Sequence, residues 1–391
     1  MARSTLQLVV KVTKYCNLRC RYCYEYAELG QKQRMALSDI AGMFRNLVPY
    51  ARDHGFQHLH FTWHGGEPFL IPLSYYRDIA ALQKQEFAGS GLEIWNTAQT
   101  NLTVLTPDHL AFLRGRELFD GIGVSYDVVG TDRVDSAGAV KDDIVARNLS
   151  TIDADGIAFG GIAVLSRSTI AHVEAIYDFY DARRIPFRFL PFYLSANDAQ
   201  SLRHSLAFDE LVDALRRAFV RWAASENATS VDPIDDCLEY VTAYFLGDKT
   251  RRYDKRDDEF VLIVNRDGNV WGMAETYDDM FRYGNLFQEE VGAILASSGR
   301  HAAIDRANER LRTHCTKCPY FGSCPGHFVG EATAIQERML RDSGCAIRAL
   351  LDFMVPFFEE TGLAAMIAER SCRTKDVRDA LRSHGLAQSA V

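Results

Sequence analysis

The chain has 391 residues, 47% of them hydrophobic and 25% charged, which is material for one large core with a smaller appended unit. Its formal charge of −8 lacks the basic excess that phosphate binding calls for, which argues against nucleic acid as the main partner. The opening apolar run (Leu6, Leu8, Val9, Val10) is broken by Gln7 and Lys11 and is too brief for a signal sequence or a membrane span, so a cytoplasmic location is expected.

In chain order, strands are predicted at residues 6–12, 58–63, 92–96, 121–126, 157–165 and 187–193, each a short β-branched or aromatic run closed by a turn signal. Helical periods fill the intervals. Ser38 is expected to cap a helix that buries Ile40, Met43, Phe44, Leu47 and Val48 and closes at Gly55. Another helix is expected over 170–183. Six strands alternating with helices imply an α/β fold with a parallel sheet, either an incomplete (β/α) barrel or a doubly wound sheet. In both, chemistry sits at the C-terminal ends of the strands.

After residue 193 the alternation stops. Helical stretches are expected over 208–224 and 235–246, followed by a charged stretch at 248–259. A hairpin is predicted from residues 260–264 and 269–273, because Asp267-Gly268 supplies the positive φ such a turn needs. A cysteine-rich loop and a helical C-terminal segment complete the chain.

The nine cysteines are unevenly placed: three near the start, four between Cys315 and Cys345, with only Cys237 and Cys372 alone. In a reducing compartment such clusters read as metal ligands rather than disulfides. Cys16-Asn-Leu-Arg-Cys20-Arg-Tyr-Cys23 puts three thiolates in one short loop directly after the first strand. That is close enough to bind three corners of a cubane and leave its fourth iron open. A structural zinc would need a fourth ligand that the loop does not supply.

This loop, with Tyr22 before its last cysteine, resembles the signature of the radical SAM superfamily. The resemblance implies a partial (β/α)6 TIM-like barrel, with a [4Fe-4S] cluster on Cys16, Cys20 and Cys23 that binds and cleaves S-adenosylmethionine. His64-Gly65-Gly66-Glu67-Pro68 resembles the family's GGEP motif, which binds the methionyl amino group of the cofactor. Glycines let backbone approach a ligand, and Glu67 offers an anion for an ammonium. Thr100-Asn101 resembles the TNG segment near the ribose, with Leu102 in place of its glycine. Ser125-Tyr126-Asp127 resembles the Ser-x-Asp segment near cofactor or substrate, although Asp127 reads equally well as a cap for the next helix. The sixth strand, with Leu190, would pack on the adenine.

Cys315-Thr-Lys-Cys318, then Cys324, then Cys345 make a closed set of four ligands, suited to a zinc or to a cluster. His314 and His327 flank the set as spare ligands. With the first motif present, it resembles the SPASM extension of peptide-modifying radical SAM enzymes, which implies one auxiliary [4Fe-4S] cluster. The extension is abbreviated. Phe328 stands where the family has a closing cysteine, and Val270-Trp-Gly-Met273-Ala274 stands where it has a Tyr-Pro-Cys-Asp-like segment. By resemblance that aspartate is the base of anaerobic sulfatase-maturing enzymes, so Ala274 counts against that activity. Glu275 and Asp127 are the acidic candidates left for a substrate base. Cys237 and Cys372 read as structural, with hydrogen-atom donation as the alternative.

The organisation the resemblance implies is a radical SAM barrel over 1–230, a helical linker over 231–258, a SPASM-like domain over 259–345 and a helical segment over 346–391. The activity it implies is that of a peptide maturase. A 5′-deoxyadenosyl radical would take hydrogen from a ribosomally made precursor peptide and lead to a C–C, thioether or ether crosslink, cyclophane types included. The alternatives are oxidation, dehydrogenation or epimerisation of a peptide or small molecule, and a zinc-binding module without radical chemistry. Expected partners are the precursor peptide and a flavodoxin-like or ferredoxin-like electron donor. Because the first strand starts so early, leader recognition is expected to fall to a separate protein or to the barrel's own surface.

Overall fold

The computed structural model describes residues 5–192, 204–259 and 261–370. Among them the strands are β1 (Thr5–Thr13), β2 (His58–Gly65), β3 (Glu93–Thr100), β4 (Gly121–Ser125), β5 (Phe159–Leu165), β6 (Phe187–Pro191), β7 (Val231–Asp232), β8 (Val261–Val264), β9 (Asn269–Trp271) and β10 (Gly284–Asn285). Helices Leu37–Asp53, Leu73–Glu86, Pro107–Arg114, Asp142–Ala154, Val173–Asp181 and Phe208–Ala223 follow β1 to β6 in turn. This is the α/β alternation of a partial (β/α)6 barrel, followed by a C-terminal region rich in helix.

The chain divides into two compact units, each discontinuous in sequence. One comprises Met1–Tyr126, Asp132–Gly160 and Arg256–Asp305; the other comprises Asp127–Thr131, Gly161–Lys255 and Arg306–Val391. Divisions at 230, 258 and 345 do not follow these units. In the first, strands run in the order β10-β9-β8-β1-β2-β3-β4, with β8, β1, β2, β3 and β4 parallel. In the second, β5, β6 and β7 lie side by side, also parallel.

Sequence periodicity explains the core of the first unit. Leu6, Leu8, Val10 and Val12 alternate along β1 and are buried, as are Leu59, Phe61 and Trp63 along β2. Ile40, Met43, Phe44 and Leu47 recur at helical spacing on Leu37–Asp53 and are likewise buried. Phe44 meets Phe61 edge to face, with ring centroids 5.3 Å apart.

Some local expectations change. Helix Leu37–Asp53 is preceded by Ala36 as its N-cap, which has no side-chain acceptor; Ser38 lies inside the first turn. Gly55, with φ of 69°, does follow the helix end. Residues 170–183 hold a short 3-10 turn, Ile170–His172, before Val173–Asp181. β3 runs to Thr100, four residues beyond the expected end, and so carries that residue to the strand's C-terminus. Gly268 turns the hairpin with φ of 84°, and β8 and β9 pair antiparallel. The hairpin does not open a separate domain: β8 pairs parallel with β1, Gln7 opposite Val261 and Val10 opposite Val264. Residues 193 and 260, and Cys372, lie outside the described residues. Among those described, no helix is long and apolar enough to cross a membrane.

Candidate active site

Cys16 follows β1 directly and is buried with Leu18 and Leu29, against which Cys20 and Cys23 also pack. Main-chain bonds pin this loop: Cys16 N–H to Leu29 O at 3.1 Å, Cys23 N–H to Cys20 O at 3.0 Å and Arg21 N–H to Asp132 O at 2.9 Å. Two donors point at the Cys16 sulfur, Leu18 N–H at 3.3 Å and Asn101 Nδ2 at 3.6 Å. Burial, with Glu67 nearby, pushes the Cys16 thiol up to about 12. Burial, with Cys20 nearby, pushes Cys23 to about 12 as well. Both are protonated at neutral pH until a metal displaces the protons. Among the described residues no three His, Cys, Asp or Glu side chains gather tightly enough to hold a single metal ion. A cubane seats each thiolate on its own iron, so three thiols in one loop, with donors already aimed at a sulfur, fit it as corner ligands.

The end of β2 is built onto the backbone that enters this loop. Gly66 N–H donates to Thr13 O at 2.9 Å and Glu67 N–H to Tyr15 O at 2.8 Å. A Cβ on Gly66 would lie 2.2 Å from Tyr15 O, and one on Gly65 1.9 Å from Thr13 O. Gly65 also has φ of 131°, which only glycine adopts readily. The close approach these glycines permit is therefore to the protein's own main chain.

Glu67 is fully buried, and both of its oxygens accept hydrogen bonds from within the protein. Oε1 accepts from Phe69 N–H at 2.9 Å and Thr100 Oγ1 at 2.7 Å, while Oε2 accepts from Asn101 N–H at 2.6 Å. Burial raises its carboxyl above the ordinary value against these donors. The motif thus ties the end of β2 to the end of β3. Leu102, at the position where the resembling pattern has glycine, takes a left-handed backbone with φ of 53° and is fully buried.

Tyr22 accepts from Arg133 Nη1 at 3.3 Å. Ser125 Oγ accepts from Gln99 Nε2 at 2.8 Å. Asp127 accepts from Val164 N–H at 2.9 Å, so it braces β5 and does not cap a helix. Leu190 on β6 is 39% exposed. Glu275 is buried, Met273 is exposed and Ala274 is buried.

A group of residues beside the loop escaped the sequence reading. Lys11 and Lys14, at the end of β1 and just beyond it, are buried and both pair with buried Glu25, two residues after Cys23. Lys11 also donates to Tyr24 and, at 3.3 Å, to His64 Nδ1. Lys14 donates to Tyr277 Oη at 2.9 Å, and Tyr277 donates to Glu25. Burial would raise the Glu25 carboxyl, but Lys11 and Lys14 outweigh it and hold it below its ordinary value. Burial, with Lys11 beside it, holds His64 well below the usual imidazole range. Two lysines at the end of an otherwise apolar strand were the available signal, since buried charge requires a partner.

In the second unit Cys315, Cys318, Cys324 and Cys345 line one pocket, with His314 and Phe328 in its wall. Gly326, with φ of 87°, turns the chain there, and a Cβ on it would lie 3.3 Å from the Cys315 sulfur. Burial pushes Cys315 and Cys324 up to about 12, the neighbouring thiols adding to it for Cys315. His327 lies outside the pocket lining and meets Tyr253 edge to face at 5.0 Å. Lys255 is fully buried and bonds Glu331 at 2.8 Å, with Tyr253 donating to the same carboxylate. The charged stretch therefore contributes to the packing beside this pocket. Cys237 is fully buried.

Residues 10–180 match the family described as the Radical SAM superfamily. The cysteine-type anaerobic sulfatase-maturating enzyme of Clostridium perfringens is 23% identical over 333 residues, 82% of this chain and 88% of that protein. The serine-type anaerobic sulfatase-maturating enzyme of Klebsiella pneumoniae is 24% identical over 323 residues, 80% of this chain and 79% of that protein. Among solved structures, native anSMEcpe with bound AdoMet and Cp18Cys peptide superposes with a TM-score of 0.71 at 20% identity, covering 94% of this chain and all of that one. Streptococcus suis SuiB bound to its precursor peptide SuiA gives 0.56 at 15% identity, covering 87% and 75%.

Proposed function

We propose, from the match of residues 10–180 to the Radical SAM superfamily, that the chain is a peptide maturase installing a side-chain crosslink in a ribosomally made precursor. The observation that carries this reading is the second thiol set, four cysteines lining one pocket. A domain that only cleaved the cofactor would not need it. The likeness to the peptide-bound folds of anSMEcpe and SuiB supports a peptide as the substrate.

Cys16, Cys20 and Cys23 would hold the [4Fe-4S] cluster, and Cys315, Cys318, Cys324 and Cys345 one auxiliary [4Fe-4S] cluster that assists substrate oxidation. When bound, S-adenosylmethionine with the reduced cluster supplies a 5′-deoxyadenosyl radical able to take hydrogen from an unactivated C–H bond. Around it the chain's own residues orient and exclude. Leu18 N–H and Asn101 stabilise charge on the Cys16 sulfur, and Glu67 holds the end of β3 in place. Phe328 closes the auxiliary pocket with an apolar ring. After hydrogen abstraction a further electron and proton leave the peptide, so a C–C, thioether or ether crosslink removes two hydrogens overall. The partners this reading calls for are a flavodoxin-like or ferredoxin-like donor and a separate leader-recognition protein, all in the cytoplasm.

A second reading is favoured by the sulfatase-maturating relatives: oxidation of one peptide residue without a crosslink. Ala274, buried where the resembling pattern has an aspartate, speaks against it. The test is to reconstitute the protein anaerobically, reduce it, and mix it with cofactor and the peptide encoded by a short reading frame beside the gene. A crosslink loses two hydrogens and joins two residues in tandem mass spectra. Simple oxidation loses the same two without joining them, and epimerisation leaves the mass unchanged while taking deuterium from heavy water. Zinc without sulfide, and no 5′-deoxyadenosine, would overturn the radical reading altogether.

A further inference from the structure

The buried network beside the cysteine loop is built more heavily than holding a loop requires. Glu25 joins it to the cysteine loop. It lies two residues beyond Cys23, and its carboxylate is gripped by Lys14, Lys11 and Tyr277. Tyr277 comes from the segment after β9, 252 residues further along the chain. It presses its ring edge-on against Trp271, 5.6 Å between centroids. Lys14 lies over the Tyr277 ring at 4.4 Å as well as bonding its hydroxyl. Lys14, Glu25 and Tyr277 each contact the other two.

The charges in this network do not cancel. Lys11 and Lys14 are 4% and 1% exposed in their side chains and Glu25 is 3%, so two cations face one anion away from water. Glu28 also reaches Lys14, at 3.1 Å, but its side chain is 46% exposed and solvent screens its charge. His64, half-buried beside Lys11, accepts from Lys11 and from its neighbour's N–H on the same nitrogen and so adds no charge. An excess positive charge therefore sits next to the loop that carries Cys16, Cys20 and Cys23, in surroundings where water does little to weaken its field.

We propose that the Lys11, Lys14, Glu25 and Tyr277 network is a charge-setting device that governs the reduction potential of the cluster on this loop. The inference rests on the cluster reading above. A cluster that takes up an electron becomes more negative, so nearby buried cations favour the reduced form and a buried anion opposes it. Loss of Lys11 or Lys14 should make the cluster harder to reduce, and loss of Glu25 should make it easier. Unit charges about 10 Å apart in a partly screened interior change such an equilibrium by about tenfold, ~59 mV for a one-electron couple.

The test compares the reconstituted wild type with Lys11→Met, Lys14→Met, Glu25→Gln and the charge-retaining Lys11→Arg. Iron and sulfide are measured first. The EPR signal that changes on adding S-adenosylmethionine is then titrated against potential. Shifts to more negative values for the two Lys→Met variants, a shift of opposite sign for Glu25→Gln and an unchanged Lys11→Arg are expected. Should Lys11→Met fail to fold, Glu25→Gln and Lys14→Met still give the opposed pair. Equal potentials in all variants that carry full iron would overturn the inference alone. A wild type without iron and sulfide would overturn the cluster reading, and this inference with it.

Discussion

Asn101 places its side-chain nitrogen 3.6 Å from the sulfur of Cys16 while its backbone N–H donates to Glu67 Oε2 at 2.6 Å. One residue beyond β3 therefore touches both the first cysteine and the acid of the Gly-Gly-Glu motif. Asn101→Asp would keep the size of the side chain but turn a donor into an anion beside a thiolate. Residues that hydrogen-bond metal ligands typically matter by about 10- to 100-fold in affinity or activity. We expect Asn101→Asp to release at least about tenfold less 5′-deoxyadenosine per iron, with Asn101→Ala falling between it and the wild type. Equal release from Asn101→Asp and wild type would refute the contact's importance.

Gly66→Ala should destabilise the protein before any cofactor is added, because its Cβ would sit 2.2 Å from the Tyr15 carbonyl oxygen. Neither backbone can yield without moving the cysteine loop, so the cost should reach about 3 kcal/mol. Gly30→Ala is the control, with nothing within 4 Å of its Cβ. Urea unfolding of the metal-free protein measures both. A Gly66→Ala midpoint equal to that of Gly30→Ala would show that the close approach is not maintained in solution.

Cys345→Ala removes one wall of the second thiol pocket and leaves Cys16, Cys20 and Cys23 untouched. Iron after reconstitution should fall from about eight to about four per chain, as expected when one of two [4Fe-4S] clusters is lost. Uncoupled cleavage of the cofactor should survive while peptide product disappears. Retention of full iron and of product would remove Cys345 from the ligand set.

The buried thiols also predict how the metal-free protein responds to alkali. Cys16, Cys23, Cys315 and Cys324 are pushed up to about 12 from an ordinary 9.0, chiefly by burial. Below pH 9 they are neutral in both folded and unfolded chains, and their contribution to stability is intact. From about pH 9 to 12 the unfolded chain ionises them and the folded chain does not, so stability is lost across that window. Cys16→Ala with Cys23→Ala should flatten part of this decline in urea midpoints measured at pH 8 to 10. An equally steep decline in the double variant would assign the loss to other groups.

Most of the frame was legible because it rests on periodicity. Alternation along β1 and β2, and the helical spacing of Ile40, Met43, Phe44 and Leu47, place the Cys16 loop and the Gly65-Gly66-Glu67 segment at neighbouring strand ends. What each residue of the site touches was less legible. Nothing in the local sequence around Glu67 shows that Thr100 and Asn101 lie at its oxygens, a contact across more than thirty residues. Nor does it show that the Thr13 and Tyr15 carbonyls lie where a Cβ on Gly65 or Gly66 would point.

The hairpin and the lysines misled for related reasons. Turn chemistry at Gly268 predicts a hairpin but is silent on which strand it will join, and parallel pairing to β1 leaves no mark in composition. Lys11 reads as the end of an apolar run, because a charge in a strand usually marks solvent. Here its counter-charge, Glu25, lies beyond the cysteine loop, where local sequence gives no hint of pairing.

β1 is hydrogen-bonded along both of its edges, to β2 on one side and to β8 on the other. The strand that launches the cysteine loop is thus an interior strand only while residues 261–264 are in place. A fragment ending after the six-strand alternation would expose the Gln7–Val10 edge as an open row of amide and carbonyl groups, next to apolar neighbours, ready to recruit another chain. Trimming this protein to its cofactor-binding half should therefore give aggregates rather than a minimal enzyme, and any smaller active version has to carry the hairpin along.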